Sequence, residues 1–197
     1  MLKAIEDPRW RTAAAMFSMF LLLVIGMQLL GHSAWGPTGS PGFWSGDTNS
    51  SENSQRLLDA YSFTHVVHGY LLYWLLYLLS RRVKMTMLSR FTWAVFIEVI
   101  WELFENTEFV INRYRTATLS LDYYGDSILN SVGDVLNMMI GFGLASTMPV
   151  AASILIVLTF EVGLFLWIAD NLILNIIQLV YPVDWLREWQ QRWIEGG

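Results

Sequence analysis

Three helical stretches of this chain carry ionisable side chains at helical spacing in otherwise apolar surroundings. SFTHVVHG places His65 and His68 three residues apart, so they neighbour on one helix face. FIEVIWELFE places Glu98, Glu102 and Glu105 at i, i+4 and i+7, a single stripe. Asp126, Asn130, Asp134 and Asn137 step by four, four and three, a second stripe. Imidazole and carboxylate together suit zinc, iron or manganese. The same groups can also form a closed hydrogen-bond and ion-pair network, or a path for protons or ions.

A carboxylate inside a bilayer costs about 2.5–3.5 kcal/mol on insertion scales, so several together need a cation, a proton, water or a partner. No cysteine is present, which excludes thiolate metal sites, disulfides and thiol catalysis. The zinc-protease HExxH pattern and the paired Glu-x-x-His of di-iron bundles are both absent. Any metal must therefore be held by a spatial cluster. The first-choice ligands are His65, His68, Glu102, Glu105 and Asp126. Glu98, Asn106, Asn130 and Asp134 stand behind them or deeper, with Glu98 and Asp134 as candidate catalytic bases. Arg113 and Arg115 are candidates for an anion or lipid headgroup, against simple interfacial snorkelling. Glu161, alone in a late apolar run, reads as structural, as do Met138 and Met139.

The elements that must position these groups follow from composition. The chain is 54% hydrophobic, with a mean hydropathy of +0.41, ten Trp and eight Tyr. That is too apolar for an ordinary soluble domain. A net charge of −5 and no basic patch argue against nucleic acid as a partner. The expected fold is all-α: a polytopic membrane bundle of about five transmembrane helices. The expected spans cover 12–31, 61–79, 87–110, 127–147 and 150–172, each near the ~20 residues that cross a bilayer core. A Gly/Pro/Ser/Asn-rich loop covers 32–60. The Trp-rich tail, 182–197, reads as an amphipathic helix lying in the interface. A cleaved signal ending at Ala34 is the minority alternative for the first span.

Basic residues orient the bundle. Lys3, Arg9 and Arg11 precede the first span, and Arg81, Arg82, Lys84 and Arg90 follow the second. The positive-inside rule makes that side cytoplasmic, which puts the N-terminus inside and the C-terminus outside. The His pair, the upper Glu stripe and Asp126 then fall in one outer layer, with Glu98 and Asp134 below it.

The runs SFTHVVHG, IEVIWELFEN, INRYR and YYGDSILNSVGD carry a resemblance. In order, they resemble the H-x-x-H-G, E-x-x-W-E-x-x-E-N, Y-R and G-D-S-x-x-N-S-x-x-D motifs of an uncharacterised family of small bacterial inner-membrane proteins, a domain of unknown function. The resemblance covers about 61–149 and includes Gly69, Trp101, Tyr114, Gly125, Ser127 and Ser131. It implies an inner-membrane location with a periplasmic outer face, and the polar layer as the family's defining feature. It implies no activity. Two functional readings stand: a metal site near the periplasmic face, with or without enzyme activity on a lipid or small molecule, or an accessory subunit of a respiratory, photosynthetic or oxygenase membrane complex. The lipid bilayer is a partner in both.

Overall fold

A computed structural model describes residues 8–118 and 123–196. Lys3, part of the orientation argument, lies outside the described residues, as do 119–122 of the polar stretch and the last residue of the tail. The chain is mostly helical. In order, it forms α1 (Pro8–Leu29), β1 (Trp44–Ser45), β2 (Leu58–Asp59), α2 (Ser62–Ser80), α3 (Met87–Glu105), α4 (Glu108–Ala117), α5 (Ile128–Thr147), α6 (Val150–Ile168), α7 (Leu172–Val180) and α8 (Asp184–Gly196). The two strands are a two-residue parallel bridge within the 30–61 loop, pairing Trp44 with Leu58 and Ser45 with Asp59.

Among the described residues, three helices are long and apolar enough to cross a membrane: Trp10–Leu29, Ile128–Thr147 and Val150–Ile168, with mean hydropathies of 2.0, 1.4 and 2.2. Helices α2 and α3 match them in length, at 19 residues each. The His pair and the Glu stripe lower their hydropathy. These two helices supply the polar cluster, so the shortfall and the site have one origin.

Helix α2 packs most closely on α5, and glycine makes this possible. A Cβ on Gly69 would run into the backbone of Met138–Phe142, and one on Gly141 would strike the carbonyl of Val66. Each helix thus presents a backbone surface to the other, as small residues allow in helical membrane bundles. Gly143 has open space where its Cβ would stand, so it contributes nothing to this contact. The main core joins four helices: Leu23 and Met27 of α1, Leu76 of α2, Ala94, Val95 and Val99 of α3, and Val135, Met138 and Phe142 of α5. Met138 is fully buried there as a packing residue. Helix α6 packs against Val66 and Tyr70 of α2, in a cluster that also includes Ala145 of α5.

Two helix breaks shape the site. The sequence suggests a third helix continuing to residue 110; the structure stops it at Glu105. Asn106 ends α3, and Thr107, with extended backbone, starts α4. The polar stretch after 110 accordingly begins as helix, up to Ala117. The last apolar run also breaks. Ala169 adopts left-handed backbone, φ 54°, and closes α6. Asn171 then caps α7 by accepting from the Leu174 amide at 2.8 Å.

The 30–61 loop folds over the helix ends. Ser33 and Ala34 offer carbonyls to the free amides of Ile128 and Leu129, at 2.9 and 3.1 Å. These are two of the orphan donors that any helix start must satisfy. Ser127 caps the same helix through the Asn130 amide, 3.1 Å. The Asn130 side chain donates to the Arg56 carbonyl at 2.8 Å. The start of α5, and with it Asp126 and Asp134, is thereby tied to the loop.

Candidate metal centre

His65 lies one turn into α2, and Glu98 and Glu102 lie on the face of α3 turned toward it. Nδ1 of His65 stands 2.8 Å from Oε1 of Glu98 and 3.4 Å from Oε1 of Glu102. Nδ1 of His68 stands 3.0 Å from the same Glu98 oxygen. Nε2 of His65 points the other way, to Oδ2 of Asp134 on α5 at 3.9 Å. Asp134 accepts in turn from the Ser62 hydroxyl at 3.2 Å. Glu98, Glu102 and Asp134 are 2%, 0% and 4% exposed, so this chemistry takes place away from bulk solvent.

Two groupings have ligand atoms within 4.8 Å of one another: His65, His68 and Glu98, and His65, Glu102 and Glu105. His65 belongs to both. The sequence reading placed Glu98 behind the ligands; in the structure it is the carboxylate nearest to both histidines. It also placed Asp126 among the ligands, whereas Asp126 is taken up elsewhere. Its Oδ2 accepts from the Asn106 side chain at 2.7 Å, its Oδ1 accepts from Tyr123 at 3.1 Å, and its amide donates to Asn106 at 2.6 Å. Asn106 and Asp126 thus clasp the end of α3 to the start of α5. Burial raises the Asp126 carboxyl above its ordinary value, although both side-chain hydrogen bonds pull the other way.

Glu105 accepts from the Tyr114 hydroxyl at 2.7 Å, so α4 folds back over the cluster. Arg113 and Arg115 do not neutralise Glu105 and Glu108 as they could on an interface. Arg113 donates to the carbonyls of Leu179 and Val180, at 2.8 and 3.3 Å. A cation there also complements the C-terminal end of the α7 dipole. Arg115 stacks on Tyr124, 4.6 Å from the ring centre.

Two contributors escaped the sequence reading. Asp59, 1% exposed, accepts from the amides of Tyr61 and Ser62 at 2.8 and 3.1 Å through one oxygen, and from Ser54 at 2.9 Å through the other. It therefore anchors the start of α2, one turn ahead of His65. Its signal in the sequence is an acid two residues ahead of the expected span 61–79, in the same outer layer as the histidines. Burial, and then the charge of Asp126, raise its carboxyl above the ordinary range. His32, on the loop that follows α1, has Nε2 2.9 Å from the Asn106 carbonyl and braces the α3 end.

The polar set of the last apolar run is partly engaged within the chain, with Oε1 of Glu161 left buried and without a hydrogen-bond partner among the described residues. Oε2 of Glu161 accepts from the Ile173 amide at 3.3 Å, at the start of α7. Asp170 accepts from Tyr61 at 3.2 Å and from its neighbour's amide, Asn171, at 2.9 Å.

A cavity of about 750 Å³ adjoins the cluster. His65, His68, Glu105, Asp126 and Asp134 are among its polar lining, and Phe104, Phe109, Leu172, Ile176 and Leu179 among its apolar lining.

Fold and cluster together define a helical protein with a buried His/carboxylate centre held between three helices. The chain belongs to the family described as Protein of unknown function (DUF2585), whose model matches residues 27–192. It is 42% identical over 184 residues to a UPF0314 protein of Paracoccus denitrificans, covering 93% of this chain and 92% of that one. A UPF0314 protein of Rhizobium meliloti is 43% identical over 189 residues, 94% and 95% of the two chains. One of Agrobacterium fabrum is 41% identical over 182 residues, 92% and 90%. No solved structure matches.

Proposed function

We propose that this is an integral protein of the bacterial inner membrane that binds a divalent cation near its periplasmic face. His65, His68, Glu98, Glu102 and Glu105 are the ligand set. The observation that carries this is Glu102. Its carboxylate is fully buried, and neither oxygen has a hydrogen-bond partner among the described residues. A packing network would satisfy such a group, because an unpaired buried carboxylate is costly. A cation between Glu102 and the imidazoles satisfies it. The spacings of 2.8, 3.0 and 3.4 Å around Glu98 and His65 also suit neighbouring ligands of one ion, which binds such atoms at roughly 2.0–2.2 Å.

Asp134 then stands where a carboxylate orients a ligating imidazole from its far nitrogen. The donor set is zinc-, iron- or manganese-like. Such an ion supplies Lewis acidity and a bound water of lowered pKa. The helices α1, α2, α3, α5 and α6 are the five spans of this reading, with α8 in the interface and the 30–61 loop periplasmic. The exposed apolar faces fit lipid: Leu155, Leu158, Val162 and Leu166 on α6 are 55–66% exposed.

Elemental analysis of the detergent-purified protein tests the reading, with a His65→Ala/His68→Ala variant alongside. Near-stoichiometric metal in the wild type, lost in a folded variant, is the expected result. A wild type that stays metal-free after reconstitution with zinc, iron or manganese overturns it.

A further inference from the structure

The lining of the cavity beside the cluster is of two chemical kinds. Its polar members include His68, Glu105, Asp126 and Asp134. Its apolar members include Phe104 at the end of α3, Phe109 on α4, and Ile176 and Val180 on α7. A pocket with a largely apolar lining and a few polar groups suits a ligand with both characters, so hydrocarbon can lie on the apolar side chains and a headgroup on the polar ones.

The polar lining restricts the headgroup. Asp59, Glu105, Asp126 and Asp134 all face the cavity. The cation on its wall, Arg113, already donates through Nε and Nη2 to the last carbonyls of α7. Phosphate, sulfate or carboxylate would meet four acidic side chains, beside a single guanidinium with two nitrogens already engaged. A cationic headgroup would compete with the metal of the proposed function, on which this inference rests. What remains is an uncharged oxygen function able to approach that ion.

We infer that the cavity binds a single-chain amphiphile with an uncharged oxygen headgroup, a long-chain alcohol or its carbonyl equivalent. The headgroup lies by His68 and Glu105. The hydrocarbon leaves between α4 and α7 into the outer leaflet.

The full-length, metal-loaded protein in phosphatidylcholine nanodiscs provides the test, with hexadecanol bearing a diazirine in its chain as the probe. Photolabelling is expected at Phe104–Phe109 and around Ile176. It should saturate, and unlabelled hexadecanol should compete with it. Hexadecyl phosphate should compete at least about tenfold less well. An Ile176→Trp variant, which crowds the apolar lining, should lose most of the saturable label while keeping its metal. Unsaturable label spread equally over the lipid faces of α1 and α6 overturns the inference, and so does equal competition by the phosphate. Saturable labelling of a wild type that elemental analysis finds metal-free supports the amphiphile site while removing the metal, so the two failures are distinct.

Discussion

Oε1 of Glu102 lies 3.4 Å from Nδ1 of His65, yet Glu102 accepts no hydrogen bond there or at its other oxygen. The nearer carboxylate, Glu98, has the hydrogen bonds of both imidazoles, at 2.8 and 3.0 Å. This asymmetry separates the roles of two glutamates one helical turn apart. Glu98 would be satisfied in a purely structural network. Glu102 would not.

Glu102→Gln therefore distinguishes the two roles. It removes a ligand charge without removing any hydrogen bond. Metal content should fall at least about tenfold. In the presence of chelator the variant should unfold at the same temperature as the wild type or higher, because an unpaired buried charge has gone. Thermal unfolding in detergent with and without chelator, beside elemental analysis, reads both effects. Full metal retention would assign Glu102 to packing.

The α2–α5 contact predicts a contrast between two glycines. Gly69→Leu places a side chain into the backbone of α5 and should cost about 1–3 kcal/mol or more. It should also disturb His65 and His68, which that contact holds in place. Gly143→Leu enters open space and should change stability by no more than about 0.5 kcal/mol. Denaturation of the two variants under one condition checks the difference. Equal losses would contradict the close packing.

Asp126 carries a pH dependence with a defined sign. Burial holds its carboxyl above the ordinary 3.8, so the folded state disfavours the charged form. No penalty exists below the unfolded value. The penalty grows as pH rises through the folded value and then stays constant. Asp126→Asn preserves groups that can bond Asn106 and Tyr123. Its stability relative to the wild type should therefore improve between pH 4 and pH 7 (values chosen to bracket the usual carboxylate range, about 4). A difference that stays flat, or reverses, would show that Asp126 is stabilised as a charge.

The proposed topology is open to labelling, because the chain has no cysteine of its own. Ser51 is exposed in the 30–61 loop, and Val83 is 55% exposed between α2 and α3. A membrane-impermeant maleimide should label Ser51→Cys in intact spheroplasts and Val83→Cys only after lysis. The reverse pattern would invert the orientation and move the centre to the cytoplasmic face.

Much of this protein is determined by local sequence pattern. Apolar runs of helix length, interrupted by Gly/Pro/Ser-rich segments and basic turns, decide where helices form, because period and composition are local properties. The stripes His65/His68, Glu98/Glu102/Glu105 and Asp126/Asn130/Asp134 are equally local, since helical spacing alone aligns each of them. How the stripes meet is not a local property. The start of α2 is anchored by Asp59, and its close approach to α5 depends on Gly69 and Gly141. The depth of each residue depends on where α3 stops, at Asn106, whose side chain bonds Asp126 from twenty residues away. For these reasons Glu98 became the carboxylate shared by both imidazoles, and Asp126 became the clasp beside them. Contacts between helices depend on rotation and axial offset. Those are fixed by caps, glycines and loop anchors distant in sequence, and only the tertiary structure brings them to bear on the same few atoms.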